Sequence, residues 1–413
     1  MKNYLLIAIL FMLTATELDA SEIRVATFNV SMEALNYAKN SKDKKSDLSG
    51  QTLVNALATG HQQIKNIAEI IQRVKPDIIL LNEFDNGTNS DNSINKSKNK
   101  DHAALVSFIK DYLNQGQNGQ AGIDYKYFYQ GPVNTGVNSN LDLDNNGTKG
   151  QLPADGYGYG HFSGHYGMAL LSKYPIDQAN IRTFQMFKWK DMPGALRPVT
   201  PINTPTADPK AGKSWYDDTT WNELRLSSKS HWDIPVNVNG TELHILASHP
   251  TPPVFDGKED RNGKRNHDEI RLWTDYITPE KSSYIYDDQG NKGGLASDKP
   301  FVLLGDLNAS NVEGNAIYAG IGDLLNHKNV QDVMPQSNGA QKHSPSNKFG
   351  KNHTAFWRMR ADYVLPSKSS IKVKSSGVFW PTKQEDTFRL IKDRSASSDH
   401  RLVWLDLRVE SVN

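Results

Sequence analysis

One segment of the chain places an acid and an amide at the end of an apolar run. Residues 301–304 are all apolar, and Gly305, Asp306, Leu307 and Asn308 follow them. The run predicts a buried strand. Because side chains two residues apart in a strand share a face, we expect Asp306 and Asn308 on one side, where the strand leaves the sheet. The pattern predicts a polar site at this edge.

Other apolar runs end in the same way. Each of the runs 23–28, 77–81 and 243–248 leads into a polar residue, Asp362 begins a later strand, and Asp399 and His400 precede the last one. Together these strand ends predict one convergent, metal-binding polar site. The residues they deliver are Asn29, Glu83, His249, Asp362, Asp399 and His400.

The order of elements indicates an α/β fold with mixed sheets. Isoleucines at three- and four-residue spacing predict a helix over 64–74, which Pro76 closes, between strands at 23–28 and 77–83. We expect one large domain, and two domains are the alternative. Further helices are predicted at 105–113 and 267–277, strands at 167–172, 232–238, 243–248, 301–305, 361–365 and 402–407, and long insertions at 114–165, 184–226 and 278–298.

Composition excludes several classes of protein. The 413 residues carry a formal net charge of +1, so a basic nucleic-acid-binding tail is not indicated, although local fields still permit a nucleic acid substrate. The chain has no cysteine, which rules out disulfides and thiolate metal sites.

The N-terminal segment has the pattern of a secretory signal peptide. Lys2 precedes an apolar stretch over 5–13, and Ala20 provides a small residue at the expected cleavage point. The alternative is an N-terminal helix or anchor. We therefore expect residues 1–20 to be removed, residues 21–413 to form the catalytic domain, and the protein to be secreted or periplasmic.

The strand-end motifs, taken in order, resemble those of the endonuclease/exonuclease/phosphatase superfamily. This superfamily has the deoxyribonuclease-I-like fold. The chain looks like an exported, bacterial-type member. The resemblance implies a four-layer α/β/β/α sandwich of two mixed β-sheets with outer helices. The matching segments are 26–29 (ATFN), 76–83 (PDIILLNE), 167–176 (GMALLSKYPI), 247–250 (ASHP), 305–308 (GDLN), 362–365 (DYVL) and 398–400 (SDH).

The resemblance also implies a divalent cation. Glu83, with Asn29 and Asp399 near it, would hold Mg²⁺, or Mn²⁺ or Ca²⁺, because carboxylate and amide oxygens are hard ligands. A solvated strand-end acid is the alternative for Glu83 taken alone.

Catalytic roles follow from the same resemblance. Asp306 would orient or deprotonate the attacking water, and Asn308 would donate to a phosphate oxygen. His249 and His400 would flank the phosphoryl group, and Asp362 would pair with His400 and raise its pKa. The alternative for His249 is a strand-end histidine that caps a loop.

The chain departs from the family pattern before the strand at 167–172. His165 and Tyr166 stand where an acid or tyrosine is usual, so the acid partner of His249 is not identifiable, and we expect one of the two to help position the phosphate. Arg225, Lys229 and His231 are further candidates for phosphate contact, with a solvated charge run as the alternative.

Two insertions carry predictions of their own. Asp142, Asp144 and Asn146 recur at every second residue before a glycine, as in the first half of a calcium loop, although Pro153 occupies the twelfth position. The hypothesis is a structural calcium site, and a series of Asx turns is the alternative. The tryptophans of 184–226 predict either a lid over the substrate or a hydrophobic cluster under a loop.

The function predicted is a secreted, divalent-metal-dependent phosphoesterase that hydrolyses phosphate mono- or diesters. An extracellular nuclease is the alternative, since nucleic acid could be the substrate. A sphingomyelinase-like phospholipase is disfavoured because no clear apolar turn is seen, and a non-enzymatic binding module because the catalytic set is complete. We expect a monomer without stable membrane insertion.

Overall fold

The computed structural model describes residues 21–38, 48–86, 102–202 and 211–410. The predicted signal peptide, residues 1–20, lies outside the described residues. Within the described part of the chain, no helix is both long and apolar enough to cross a membrane.

Six strands form the first sheet, in the order β10-β11-β1-β2-β4-β3. β1 and β2 run parallel, while the other pairs are antiparallel, so the sheet is mixed. The strands are β1 (Ser21–Met32), β2 (Ile78–Phe84), β3 (Tyr127–Tyr129), β4 (Met168–Ser172), β10 (Ile371–Val378) and β11 (Val403–Val409).

Five strands form the second sheet, in the order β5-β6-β7-β8-β9. Its one parallel pair is β7 with β8. The strands are β5 (Arg182–Thr183), β6 (His231–Val238), β7 (Thr241–Ser248), β8 (Phe301–Asp306) and β9 (Asp362–Pro366).

The helices are mostly short. They are α1 (Ala34–Tyr37), α2 (Gly50–Ala58), α3 (Gln62–Val74), α4 (Ala103–Ser107), α5 (Asp218–Glu223), α6 (Arg261–Tyr276), α7 (Tyr318–Leu325) and α8 (Asn338–His343). A π-helix over Phe108–Leu113 continues α4, and single 3₁₀ turns occur at Trp189–Asp191, Ser282–Tyr284, Gly350–Asn352 and Asp386–Leu390.

Two hydrophobic clusters define four layers. The first lies between the sheets, with Val25 and Leu405 of one sheet and Ile245 and Leu304 of the other, and it extends to α3 on the outer face of the first sheet. The second cluster joins the opposite face of the second sheet to α6 and α7. The predicted four-layer sandwich is therefore confirmed.

The aromatic residues of the insertion 184–226 do not form a lid. Trp189 is fully buried in the second cluster, where its indole nitrogen donates to Asp268 Oδ2 at 2.7 Å. Tyr216 and Trp221 are buried in the same cluster. The lid hypothesis was wrong, because these rings complete the apolar layer beneath α6 instead of facing a cleft.

Candidate active site

The polar ends of strands from both sheets meet at one edge of the sandwich. Asn82 links the sheets, because its Oδ1 accepts from the backbone N–H of Asp306 at 3.2 Å and its Nδ2 donates to Ser248 O at 3.4 Å. Asn29 Nδ2 donates to Asp306 Oδ2 at 3.1 Å. These bonds position Asp306 against the ends of β1 and β2.

Asp306 is the centre of the site. Its Oδ2 lies 3.4 Å from Nε2 of His249 and 3.5 Å from Nε2 of His400. Burial opposes ionisation of Asp306, but the two histidines and Asn29 outweigh burial and hold its pKa below the usual range. Asp306 is therefore an ionised acceptor at neutral pH.

His400 pairs with Asp362, as the resemblance implied. Nδ1 of His400 lies 2.9 Å from Asp362 Oδ2, which also accepts from Thr354 Oγ1 at 2.7 Å. Burial opposes charge on His400, but Asp362 and Asp306 outweigh it and raise the pKa of His400 to about 10. Burial raises the pKa of Asp362 to about 6, so both partners are charged at pH 7.

His249 has a different environment. Burial lowers its pKa, and the positive charge of Lys229 lowers it further against the opposing effect of Asp306. Its Nδ1 is buried and has no hydrogen-bond partner among the described residues. No described side chain therefore serves as the acid partner of His249, which the sequence left unidentified.

The described donor groups fit a divalent cation. A carboxylate oxygen of Glu83 lies within 4.8 Å of ligand atoms of His249 and Asp306. Glu83 has a left-handed backbone (φ 53°) at the end of β2, and burial raises its pKa, so a nearby cation would stabilise its ionised form. Among the described residues, Asn29 Oδ1 accepts only the backbone N–H of Ser31, at 3.1 Å, and keeps a second lone pair.

Asp399 is at the rim of this set. Its Oδ1 accepts from Ser31 Oγ at 3.3 Å, and its other oxygen lies 3.6 Å from Arg394 Nη1. Its negative charge adds to burial in raising the pKa of Glu83.

Asn308, at φ 52°, donates its side-chain amide to Pro250 O at 3.2 Å.

His165 and Tyr166 are placed differently from one another. His165 is fully buried: its Nδ1 accepts from the backbone N–H of His161 at 3.2 Å, and its Nε2 lies 3.1 Å from Glu33 Oε2. Tyr166 is half-buried and stacks on His165 with ring centroids 3.8 Å apart. The structure places His165 in the interior as a support for Tyr166 and gives it no exposed surface for a phosphate.

Of the basic residues before β6, only Lys229 is electrostatically coupled to the site. Burial lowers its pKa, while Glu269, Glu83 and Asp306 oppose that effect. His231 is buried and bonded to Ser227 Oγ at 2.7 Å and Glu269 O at 2.8 Å.

Arg225 contacts residues of a neighbouring loop. Its Nη1 donates to Asn134 Oδ1 at 2.7 Å, and its guanidinium lies over the ring of Tyr157 at 4.1 Å. The structure therefore gives Arg225 a local packing role and does not bring it to the histidines.

The acidic loop contains a residue that the sequence pattern missed. Carboxylate oxygens of Asp142, Asp144 and Asp155 lie within 4.8 Å of one another. Asp155 also accepts from the backbone N–H of Leu143 at 2.7 Å. Asn146 donates its side-chain amide to Asp144 Oδ2 at 3.1 Å, and its backbone N–H donates to Asp142 Oδ1 at 3.1 Å. The structural calcium site stays a prediction.

Sequence reasoning also missed an aromatic hairpin at the site. Residues 355–359 turn tightly through Arg358 at φ 71° and expose Phe356 (50%) and Trp357 (45%). The ring of Trp357 meets that of His400 edge-on at 4.7 Å. The statement that the chain has no clear apolar turn was wrong, and two adjacent aromatics in a polar segment were the available signal.

Comparison with protein families identifies the chain. The model of the endonuclease/exonuclease/phosphatase family matches residues 26–400. The chain belongs to this family. No curated protein sequence matches it. Because the family comprises metal-dependent phosphoester hydrolases and the chain presents acid and histidine clusters that could hold a metal, this family member is a metal-dependent phosphoester hydrolase.

Solved structures of similar fold include bacterial and human proteins. A family member from Beutenbergia cavernae DSM 12333 is 16% identical, with a TM-score of 0.48 over 94% of this chain and 72% of that one. A family protein from Leptotrichia buccalis C-1013-b is 14% identical, with a TM-score of 0.44 over 93% and 98%. The human Nocturnin catalytic domain with bound sulfate is 14% identical, with a TM-score of 0.42 over 95% and 96%.

Proposed function

We propose that the protein hydrolyses phosphate mono- or diesters by in-line attack of water on phosphorus. The observation that carries the proposal is the position of Asp306 Oδ2, 3.4 Å from one histidine and 3.5 Å from another. The ionised carboxylate can accept a hydrogen bond from a water molecule, while a ring N–H beside it donates to a phosphoryl oxygen.

Each residue then has a distinct task. Asp306 orients the water and accepts its proton. His400, charged through Asp362, donates from Nε2 to a phosphoryl oxygen as negative charge develops there. Lys229 adds positive charge on the side of His249.

His249 is suited to act as a neutral hydrogen-bond donor or acceptor. Its lowered pKa keeps the ring neutral at pH 7, and its Nε2 is directed at Asp306. In this state it orients the phosphoryl group without competing with His400 for a proton.

Glu83, with Asn29 and Asp399, would hold a divalent cation. When bound there, the cation would neutralise negative charge on the phosphoryl and leaving oxygens. Mg²⁺ is the ion we propose first, because these are oxygen donors.

Export of the protein is proposed on the N-terminal sequence pattern alone. If it is exported, the form recovered from periplasm or medium should begin near Ser21. Intact-mass measurement of that fraction tests the proposal, and recovery of the full chain only from the cytoplasm would overturn it.

A substrate panel tests the proposed reaction. We expect turnover of bis-p-nitrophenyl phosphate or p-nitrophenyl phosphate with Mg²⁺, loss of turnover with EDTA, and recovery when Mg²⁺ is restored. Plasmid DNA, RNA and sphingomyelin complete the panel and separate the nuclease and phospholipase alternatives. Failure of all five substrates with every divalent cation tried would overturn the proposal.

A further inference from the structure

A second cavity opens beside the catalytic centre. It has a volume of about 540 Å³ and lies between α8, the hairpin 355–359 and the segment that follows β10. None of the residues we assign to catalysis or cation binding lines it. It is therefore a separate cavity next to the site.

The cavity is strongly cationic. Five of its fourteen lining residues are Lys or Arg, and none is Asp or Glu. Arg358 and Lys383 are exposed, and neither forms an ion pair with another described residue. Lys392, another lining residue, lies 3.9 Å from Asp393 Oδ2. The positive charges of Arg358 and Lys383, which have no such partner, favour an anionic ligand.

Arg401 adds a buried charge to the cavity wall. It is 2% exposed, and its Nε has no hydrogen-bond partner among the described residues. Its other nitrogens donate to the carbonyls of Ser398, His400 and Ile391, and no carboxylate in the described part of the chain forms an ion pair with them.

Aromatic rings form the rest of the wall. Phe356 packs against His343 with ring centroids 4.9 Å apart, and His343 packs against Trp380 at 5.1 Å. Phe356 is half exposed, so part of the side chain is accessible. Planar rings beside cations are the groups that bind a nucleobase together with its phosphate.

The hairpin joins this cavity to the catalytic centre. Phe356, which lines the cavity, donates its backbone N–H to Asp399 O at 2.7 Å. The next residue, Trp357, contacts the ring of His400. Arg401, which also lines the cavity, follows His400 in the chain. A ligand in the cavity is thus separated from the reacting phosphate by the width of one hairpin.

We propose that this cavity binds one nucleotide of the substrate, with its base on Phe356 and its phosphate on Arg358 and Lys383. The proposal rests on the proposed phosphoesterase function and narrows its substrate to nucleotide-containing diesters. A ligand that carried only phosphates would use the cations and leave the aromatic wall without a contact.

Binding measured without turnover tests the cavity first. In calorimetric titrations of the full chain with EDTA present, AMP should bind about fivefold to a hundredfold more tightly than ribose 5-phosphate, because base stacking contributes about 1–3 kcal/mol. Phe356→Ala should remove that difference. Lys383→Glu should weaken AMP binding and reduce its salt dependence, while the exposed control Lys110→Glu should not.

Two outcomes would overturn the cavity assignment. One is equal affinity for AMP and ribose 5-phosphate. The other is AMP binding that is lost in His249→Ala but unchanged in Phe356→Ala and Lys383→Glu, which would locate the nucleotide at the catalytic centre. Circular dichroism of each variant checks that it is folded.

Turnover then separates this inference from the proposed function. Lys383→Glu should lower kcat/KM for a dinucleotide several-fold more than kcat/KM for bis-p-nitrophenyl phosphate, mainly through KM. Equal losses on both substrates would overturn the inference and leave the phosphoesterase in place. No turnover of either substrate by the wild-type protein would instead overturn the proposed function.

Discussion

Nδ1 of His400 lies 2.9 Å from Oδ2 of Asp362, and Thr354 Oγ1 donates to the same oxygen at 2.7 Å. The pair is buried, so the carboxylate determines both the orientation and the charge of the imidazole. A permanent imidazolium is then available for a phosphoryl oxygen at neutral pH.

Asp362→Asn should separate the effect of the Asp362 charge from the effect of its packing. The amide keeps an acceptor for Thr354 but removes the negative charge, so we expect the pKa of His400 to fall well below 10 and kcat to fall about 10²–10⁴-fold. NMR titration of His400 and steady-state kinetics measure the two effects. An unchanged pKa would contradict the role assigned to Asp362.

Glu83→Gln tests the cation site. The change keeps the size of the side chain but removes a charged oxygen ligand, so we expect loss of Mg²⁺-dependent turnover and weaker Mg²⁺ binding. Titration of the variant with Mg²⁺, Mn²⁺ and Ca²⁺ gives both readouts. Full turnover of the wild-type protein after exhaustive chelation would refute the metal requirement.

His249→Ala, His400→Ala and Asp306→Ala should each lower turnover by about 10²–10⁴-fold. The three side chains act on one water and one phosphoryl group, so the losses should not multiply in double variants. His327→Ala, a half-buried histidine bonded to Thr278, is the matched control. A variant within tenfold of wild type would remove its residue from the catalytic set.

Trp189→Ala should destabilise the protein instead of changing its substrate preference. The indole is fully buried and bonded to Asp268, so its removal should cost about 3–5 kcal/mol of unfolding free energy. Denaturant unfolding measures the cost. Wild-type stability with altered preference for large substrates would restore the lid hypothesis.

Glu33→Gln should change how stability depends on pH. Burial raises the pKa of Glu33 from 4.5 to about 7, so its favourable contribution is present below pH 4.5 and is lost as pH rises through 7. The amide that replaces the carboxyl group stays neutral and keeps an acceptor for the N–H of Leu35. Relative to wild type, the variant should therefore gain up to about 3 kcal/mol between pH 5 and pH 8, as denaturant unfolding at the two pH values would show.

The strand ends were predictable, whereas the contacts between loops were not. Asp306 and Glu83 follow apolar runs, and the pattern alone places them at a sheet edge. His165 is equally polar in sequence, but a long-range contact with Glu33, 132 residues away, buries it. Such burial is decided by tertiary packing, which leaves no local periodicity to read.

Aromatic residues illustrate the same limit. Trp189 and Trp357 both occur in polar, irregular segments, yet one completes a hydrophobic layer and the other stands half exposed against His400. Composition cannot distinguish them, because the difference lies in which distant element packs on each ring. The cationic cavity was missed for this reason, since its lysines and arginines come from separate segments of the chain.

The bonds of Asn82 to Asp306 and Ser248 have a consequence for assembly. Glu83 and Asn29 come from the first sheet, while Asp306 and Asp362 come from the second. A folding intermediate with only one formed sheet would contain half of the catalytic groups and could not hold the reacting phosphate. Enzymatic competence therefore arises only when the two sheets dock, and Asn82 sets the alignment in which they do so.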